Sequence, residues 1–408
     1  MRRSLSHVGG AARITGDPDA GALLVEAVSV PTSEEAEAFA RDHVHGFHTY
    51  PARMHPITAR RLVEAFSAPG DRVLDPFCGS GTVLVEARLA GREGVGVDAN
   101  PLAVRLARLK GRGTTPEERS RLILAAKEAA TFADARREAK SGPTRRYGRE
   151  DVELFQPHVL LEMDGIRAGI ERLADTSARA DLELVFSAIL TKVSRKGSDT
   201  SEHGSERRLA AGYPARLFVK KTEELTRNLA TYADELAKAP ASRPLRVLEG
   251  DARRLDGVDA GSVKLVATSP PYPGNYDYLA HHAARLRWLR LQPQRFDEAE
   301  IGARRHLEPL GPNEGRIRFA DELADVLRAV ARVLAPGGAV VLLLADSVVA
   351  GAPVYANDLT AAVAARTGFV LHAAASQARP HFHAPTERAF ARRPREEHAL
   401  LLVRASPR

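Results

Sequence analysis

A short apolar strand that runs directly into a glycine loop constrains the fold of this chain more than any other feature. Residues 72–75 read RVLD, the loop 76–81 reads PFCGSG, and an apolar segment of helical pattern starts at Thr82. Further apolar runs alternate with segments of helical periodicity, at 94–98, 245–251, 263–269 and 339–345. Continuous apolar strands that alternate with helices indicate a parallel sheet covered on both faces.

Two more strands, 368–376 and 398–403, complete this pattern, and we expect them to pair antiparallel because no helix separates them. The predicted fold class is therefore α/β, with a seven-stranded, doubly wound, Rossmann-like sheet built from residues 43–110 and 245–408. Residues 1–42 are polar and punctuated by Gly, Pro and Asp, which predicts a poorly ordered N-terminal segment. Residues 111–244 predict a largely helical insertion between the second and third strands.

The middle of this insertion is polar and basic. Residues 194–208 contain few apolar side chains, which predicts a loop, and basic residues outnumber acidic ones across 192–221. The whole chain is also basic, with 59 Lys and Arg against 52 Asp and Glu and a net charge of +7. The loop is either a solvated surface or a contact for nucleic-acid phosphates, and the second interpretation assigns that contact to Arg195, Lys196, Arg207 and Arg208.

Cys78 is the single cysteine, which excludes an intramolecular disulfide and a thiolate metal site and suits a reducing cytoplasm. The longest apolar run, 339–345, is too short to span a bilayer, so we expect a cytoplasmic protein without a membrane partner. We expect no metal centre, because no acidic or cysteine cluster accompanies the histidine pairs His281, His282 and His381, His383.

The ends of the first three strands predict a ligand site, because open parallel sheets bind ligands beyond their carboxyl ends. Gly79 and Gly81 let the backbone approach a ligand closely, and Asp98 ends the second strand where it could accept hydrogen bonds from ribose hydroxyls. Asp251 ends the third strand, where it could reach an adenine amino group.

The loop favours S-adenosylmethionine over a dinucleotide. The third glycine of the dinucleotide fingerprint is replaced by Leu84, counting from Gly79. Asp75 would repel a pyrophosphate, whereas it suits the amino group of a cationic methionine cofactor.

The fourth strand ends in the tetrapeptide Ser269, Pro270, Pro271, Tyr272. Its prolines fix the backbone, Ser269 adds a hydroxyl acceptor, and Tyr272 offers a flat face for a base taken out of its stack. An exocyclic base amine is a poor nucleophile, and acceptors that hold its hydrogens favour attack on a sulfonium methyl group. Methylation at a cytosine ring carbon is excluded, because it needs a nucleophilic cysteine and Cys78 lies in the cofactor loop.

These motifs resemble the amino-methyltransferases of nucleic acids. Residues 74–82 look like their cofactor loop, and 268–272 look like their catalytic tetrapeptide in the serine form associated with cytosine-N4 DNA methyltransferases. Residues 48–56 are similar to the segment that closes over the methionine end of the cofactor, and 395–403 look like the terminal strand. The resemblance covers about 45–110 and 245–404.

The resemblance implies an S-adenosylmethionine-dependent methyltransferase that acts on a DNA base, with cytosine N4 as the favoured target. The catalytic residues would be Ser269, Pro270, Pro271 and Tyr272, with Tyr276 and the basic loop contacting nucleic acid. The cofactor contacts would be Tyr50, Pro51, Arg53, Asp75, Pro76, Phe77, Gly79, Gly81, Thr82, Asp98 and Asp251.

Two alternatives remain open. Relatives that methylate guanine N2 in transfer RNA share the cofactor loop and a similar Pro-Pro-Tyr, although their tetrapeptide usually begins with Asp or Asn rather than Ser269. The chain could also be a non-catalytic nucleic-acid-binding module that kept the fold, against which the intact tetrapeptide and loop argue. Typical DNA members carry a recognition domain beside the catalytic segments, whereas the insertion here separates the second and third strands.

Overall fold

The computed structural model describes residues 11–51, 53–195, 208–241, 243–379 and 384–405. Its main sheet has eight strands in the order β1-β9-β10-β6-β5-β2-β3-β4, and β7 and β8 form a separate hairpin. The strands are β1 Arg13–Gly16, β2 Arg72–Asp75, β3 Glu93–Asp98, β4 Arg246–Glu249, β5 Val263–Thr268, β6 Leu334–Ala345, β7 Ser347–Val349, β8 Ala352–Val354, β9 Phe369–Ala378 and β10 Glu396–Arg404.

Helices cover both faces of the main sheet and fill the insertion. They are α1 Pro18–Val28, α2 Glu34–Phe39, α3 Pro56–Phe66, α4 Thr82–Leu89, α5 Pro101–Gly111, α6 Pro116–Glu138, α7 Arg149–Leu154, α8 Pro157–Arg172, α9 Thr176–Leu190, α10 Tyr213–Lys238, α11 Tyr278–Trp288, α12 Gln294–Ala299, α13 Arg304–Leu307, α14 Gly311–Val333, α15 Ala356–Arg366 and α16 Ala384–Ala389. Short 3-10 helices occupy His43–Gly46 and Glu308–Leu310. Within the described ranges, every helix is too short or too polar to cross a membrane.

The predicted α/β fold is confirmed, with one strand more than expected in the main sheet. Strands β4, β3, β2, β5 and β6 are parallel neighbours, as their apolar sequences indicate. The last two strands, β9 and β10, pair antiparallel as expected, and β10 also pairs antiparallel with β6. The eighth strand is β1 at the edge of the sheet.

Residues 11–42 correct our expectation of a poorly ordered N-terminal segment. Strand β1 pairs antiparallel with β9, and helix α1 buries Leu24 and Ala27 in the core that lies under β9 and β10. The helix starts at an Asp17 cap, whose side chain accepts a hydrogen bond from the amide of Ala20. The sequence did not indicate this order, because β1 is exposed along its length and shows no apolar pattern. The strand forms by pairing with the edge of β9.

The insertion between β3 and β4 contains helices α6 to α10. Its apolar side chains pack in one core with Leu102 and Leu106 of α5 and Trp288 of α11. The two ends of the insertion also lie close together. Gly111 packs so tightly against the Leu245 side chain that a Cβ on this glycine would lie only 2.0 Å from it. The insertion is therefore anchored on the face of the sheet that carries α5.

Candidate active site

A pocket opens at the carboxyl ends of β2, β3 and β5, where the sequence predicts a cofactor site. It encloses about 830 Å³ of empty space, including its mouth. The predicted cofactor residues that line it are Tyr50, Pro51, Arg53, Asp75, Pro76, Phe77, Gly79, Thr82 and Asp98. We call this the cofactor pocket.

The two loop glycines have different roles. Gly79 lines the pocket with a φ of 50°, and a Cβ there would lie 3.1 Å from the Tyr50 ring. Gly81 has a φ of 88° and lies behind the pocket, where a Cβ would come within 3.0 Å of Ala107 on α5. Gly81 therefore allows α4 and α5 to pack closely, and it does not line the pocket, although the sequence predicts it as a cofactor contact.

Asp75 and Asp98 are held in place by the loops around them. The Asp75 carboxylate accepts hydrogen bonds from the Thr268 hydroxyl at 2.6 Å and from the amide of Phe77 at 3.1 Å. The Asp98 carboxylate accepts from the amides of Gly79 and Asn100, each at 2.8 Å. Burial raises the pKa of Asp75 to about 7 and that of Asp98 to about 6. A cation in this pocket would favour the ionised form of both.

Asp251 lies away from the place that the sequence predicted for it. Its carboxylate accepts hydrogen bonds from the Arg253 guanidinium at 2.6 and 3.0 Å and lines a neighbouring cavity, whereas Ala252 lines the cofactor pocket. The ion pair forms because Arg253 follows two residues later and folds back onto Asp251. The adenine contact proposed for Asp251 therefore has no support in this geometry.

The far wall of the pocket contains residues that the sequence did not indicate. Phe296, Ala299, Glu300 and Ile301 lie in and after α12 and reach the pocket from outside the known motifs. The Glu300 carboxylate accepts hydrogen bonds of 2.7 Å from the amide of Tyr278 and from Arg305. No sequence motif marks this segment. Tyr278 of the tyrosine cluster, which lines the same pocket and donates its amide to Glu300, is the one sequence signal near it.

Arg53 and Met54 separate the cofactor pocket from a second pocket. The Arg53 guanidinium donates to the main-chain carbonyls of Ala40, at 2.6 Å, and of His45. Its charge is therefore tied to the protein backbone rather than to a carboxylate of the pocket. Arg53 and Met54 line both pockets.

Ser269 is the third residue that lines both pockets. Pro271 faces the cofactor pocket, Tyr272 and Tyr276 face the second pocket, and Pro270 is buried behind them. The structure thus brings the predicted tetrapeptide to the boundary between two cavities. We call the second cavity the base pocket, after the base contact that the sequence predicts for Tyr272.

A buried chain of hydrogen bonds supports the wall of the base pocket. His398 Nε2 donates to Asp346 Oδ1 at 3.1 Å, and His398 Nδ1 accepts from the Ser376 hydroxyl at 2.8 Å. The same Asp346 carboxylate accepts from the main-chain amide of Glu396 at 3.0 Å. All three side chains are almost fully buried and line neither pocket, so the chain fixes β6, β9 and β10 relative to one another.

Cys78 lies in the loop with its side chain against Gly96, and burial raises the pKa of its thiol. The thiol is therefore a poor source of thiolate, in agreement with the exclusion of ring-carbon methylation.

Arg195 and Arg208 border residues 196–207, and Arg195 donates its main-chain amide to Leu154. Lys196, Arg207, His381 and His383 lie outside the described residues.

The charges of the cofactor pocket fit S-adenosylmethionine. Asp75, Asp98 and Glu300 contribute three carboxylates to its lining, against the one guanidinium of Arg53. Such a lining attracts a cationic sulfonium and ammonium ligand and accepts hydrogen bonds from ribose hydroxyls, whereas a pyrophosphate would meet like charges. The carboxylates of the pocket thus agree with the methionine cofactor and disagree with a dinucleotide.

Comparisons with known proteins also indicate similarity to methyltransferases. Residues 28–109 match the model of a family described as DNA methylase, and this segment runs from the end of α1 through the glycine loop into α5. The chain is 27% identical over 287 residues to the Type II methyltransferase M.MvaI of Kocuria varians, covering 64% of this chain and 60% of that protein.

A shorter match has higher identity. The chain is 48% identical over 60 residues to the tRNA (guanine(10)-N2)-dimethyltransferase of Methanothermobacter thermautotrophicus, covering 14% of this chain and 18% of that protein. This chain therefore spans less than two thirds of the length of either relative. Among solved structures, the arsenic (III) S-adenosylmethionine methyltransferase of Chlamydomonas reinhardtii matches at 14% identity with a TM-score of 0.34, covering 95% of this chain and 74% of that one.

Proposed function

We propose that this chain is an S-adenosylmethionine-dependent DNA amino-methyltransferase, like the DNA methylases it resembles, and that it methylates an exocyclic amino group of a DNA base, namely cytosine N4. One observation carries the proposal. Ser269 lies where the cofactor pocket meets the base pocket, so a group held at its hydroxyl faces both cavities.

When bound, the cofactor supplies an electrophilic methyl group on a sulfonium. Asp75 and Asp98 hold the ligand, with their carboxylates already oriented by Thr268 and by main-chain amides. Ser269 Oγ accepts a hydrogen bond from the target amine, which aims the nitrogen lone pair toward the cofactor pocket. Pro270 and Pro271 keep this strand end in a fixed conformation, so the acceptor needs little reorganisation.

The choice of cytosine rests on the serine form of the tetrapeptide. A hydroxyl is a neutral acceptor, and within this family that form is associated with cytosine N4. The absence of a second cysteine in the sequence, together with the burial of Cys78, supports transfer to an amine rather than to a ring carbon.

RNA is the second candidate substrate, and the match to the tRNA methyltransferase favours it. That match covers only 60 residues, whereas the similarity to M.MvaI extends over 287. We therefore place DNA first and retain guanine N2 of RNA as the alternative.

Methylation assays with labelled cofactor on DNA and on RNA, followed by mass spectrometry of the nucleosides, test the proposal. We expect N4-methylcytosine from DNA, and Ser269→Ala should slow transfer while cofactor affinity stays unchanged. Ser262→Ala is the matched control, because this serine lies at the opposite end of β5 and donates to Asp259. N2-methylguanine in RNA would replace DNA by the alternative, and no methylated product from either would refute the activity.

A further inference from the structure

The base pocket is rich in hydrogen-bond donors. Beyond Ser269 its polar lining includes Asn275, Tyr276, Gln377, Arg379, Arg395 and Glu397. Glu397 is the single acid among the lining residues, and its carboxylate is already engaged. Oε1 accepts from the Tyr272 hydroxyl at 2.9 Å, and Oε2 pairs with the Arg379 guanidinium.

Arg379 is a buried donor in this wall. Its side chain is 7% exposed and is fixed by Glu397, so the guanidinium stays in the pocket instead of extending into solvent. A guanidinium carries five N–H donors in a rigid planar fork, more than one carboxylate oxygen can accept. The fork therefore has donors beyond the one paired with Glu397, and a ligand bound in the pocket can accept hydrogen bonds from them.

The two candidate bases differ in what they present next to the amino group. Beside N4, cytosine has two adjacent acceptors, N3 and O2. Beside N6, adenine has the acceptor N1 followed by a C–H group, which cannot accept a hydrogen bond. A planar pair of N–H donors therefore matches cytosine, and with adenine it would leave a buried donor unsatisfied.

We propose that Arg379 selects cytosine by donating to the N3 and O2 edge of the target base. The inference rests on the proposed function, since it concerns the base whose amine Ser269 holds. Glu397 acts as a positioning residue that orients the Arg379 fork, and Tyr272 joins this pair to the catalytic loop.

Hydrogen bonds connect Arg379 to the neighbouring strand ends. Its main-chain amide donates to the carbonyl of Arg395 at 2.8 Å, and Arg395 Nε donates to the carbonyl of Asp346, also at 2.8 Å. Asp346 belongs to the buried hydrogen-bond chain with His398 and Ser376. Because these contacts fix the ends of β6, β9 and β10, the donors are held in place before the base arrives.

The test compares two oligonucleotides that carry the methylated site of the wild-type enzyme. One contains deoxycytidine at the target position, and the other contains 3-deazadeoxycytidine, which lacks the N3 acceptor and keeps the amine. For the wild type we expect kcat/KM to fall by about 10- to 100-fold on the deaza substrate. For Arg379→Gln on deoxycytidine we expect kcat/KM to be lower than that of the wild type by a similar factor. Changing from deoxycytidine to the deaza substrate should then lower kcat/KM of this variant little further.

Arg393→Gln is the matched control, because Arg393 pairs with Asp358 and does not line the base pocket. It should behave as the wild type on both substrates, and cofactor affinity measured by calorimetry should be equal in all three proteins. If Arg379→Gln misfolds, the loss of cofactor binding reveals it, and Arg379→Lys, which keeps the charge without the fork, then replaces it in the same comparison.

Equal losses of Arg379→Gln on both substrates would overturn the role of Arg379. They would instead indicate a phosphate contact, which a methylphosphonate at the target nucleotide would reproduce. N6-methyladenine as the wild-type product would refute the cytosine assignment itself. N4-methylcytosine together with an unaffected Arg379→Gln enzyme would leave the proposed function intact and refute only this inference.

Discussion

The Tyr272 hydroxyl donates a 2.9 Å hydrogen bond to Glu397 Oε1, which joins the loop after β5 to the start of the terminal strand β10. The two residues are 125 positions apart in the chain. The bond anchors the hydroxyl end of the tyrosine side chain, so the ring that would stack on a target base is held at the wall of the base pocket before the base enters. Burial raises the pKa of Tyr272, which keeps the hydroxyl protonated as a donor.

This bond gives a graded prediction for two substitutions. Tyr272→Phe keeps the ring but removes the donor to Glu397. We expect this variant to lose no more than about 1 to 3 kcal/mol of transition-state stabilisation, calculated from its kcat/KM relative to the wild type. Tyr272→Ala also removes the stacking face and should cost roughly 1 to 3 kcal/mol more. Steady-state kinetics on DNA measure both losses, while cofactor affinity should stay at the wild-type value. Equal activity of Tyr272→Ala and the wild type would exclude this face from base binding.

Cofactor affinity should depend on pH through Asp75. Its pKa is raised to about 7 in the free protein, so the carboxyl is increasingly protonated at lower pH. A cationic ligand favours the ionised form, and affinity should therefore weaken as pH falls below 7, by up to about tenfold per pH unit. Asp98, with a pKa of about 6, should add to the decline in more acidic solution.

Calorimetry between pH 5 and 8 measures this decline. Asp75→Asn cannot ionise, so its affinity should be weak and should vary less with pH, with only the Asp98 contribution remaining. A wild-type affinity that is constant over the range would contradict a carboxylate contact with a cation.

Asp98 and Asp251 should differ in their effect on cofactor binding. Asp98→Asn replaces a carboxylate that lines the pocket and binds the amides of Gly79 and Asn100, so affinity should fall by about 10-fold or more. Asp251→Asn alters a carboxylate that is paired with Arg253 in the neighbouring cavity and should leave affinity within about twofold of the wild type. Equal losses in the two variants, measured by calorimetry, would restore the adenine contact for Asp251.

The basic loop of the insertion gives a prediction about salt. If Arg195, Lys196, Arg207 and Arg208 contact phosphates, replacing all four with Ala should reduce the slope of log affinity for DNA against log salt by about 3 to 4. Exposed arginines of α14, Arg318 and Arg328, provide a control with charges removed elsewhere. An unchanged slope in the loop variant would identify the loop as solvated surface.

The strands and the glycine loop were predictable because their signals are local. Strand β2 has the predicted bounds, and the loop after it carries its glycines and aspartate within a few residues. Strand β1 was missed because its four exposed residues show no apolar alternation, and its order comes from pairing with β9.

The same contrast applies to the site. Asp98 lines the pocket from the end of β3, whereas Asp251 follows the next parallel strand and forms an ion pair with Arg253 outside that lining. Glu300 reaches the pocket from a polar segment after α12, and Glu397 reaches the base pocket from the terminal strand. Such contacts depend on tertiary packing between distant segments, which leaves no periodic pattern in a single sequence.

The contact between Gly111 and Leu245 has a consequence for how this architecture could be changed. Since the insertion begins at the end of α5 and returns to the chain just before β4 at nearly the same point, its length can vary without altering the pairing of β3 with β4. A replacement must only cover the apolar surface of Leu102, Leu106 and Trp288 that the present helices bury. The site between β3 and β4 is thus a natural graft point, at which helical modules of other lengths could be exchanged on an unchanged sheet.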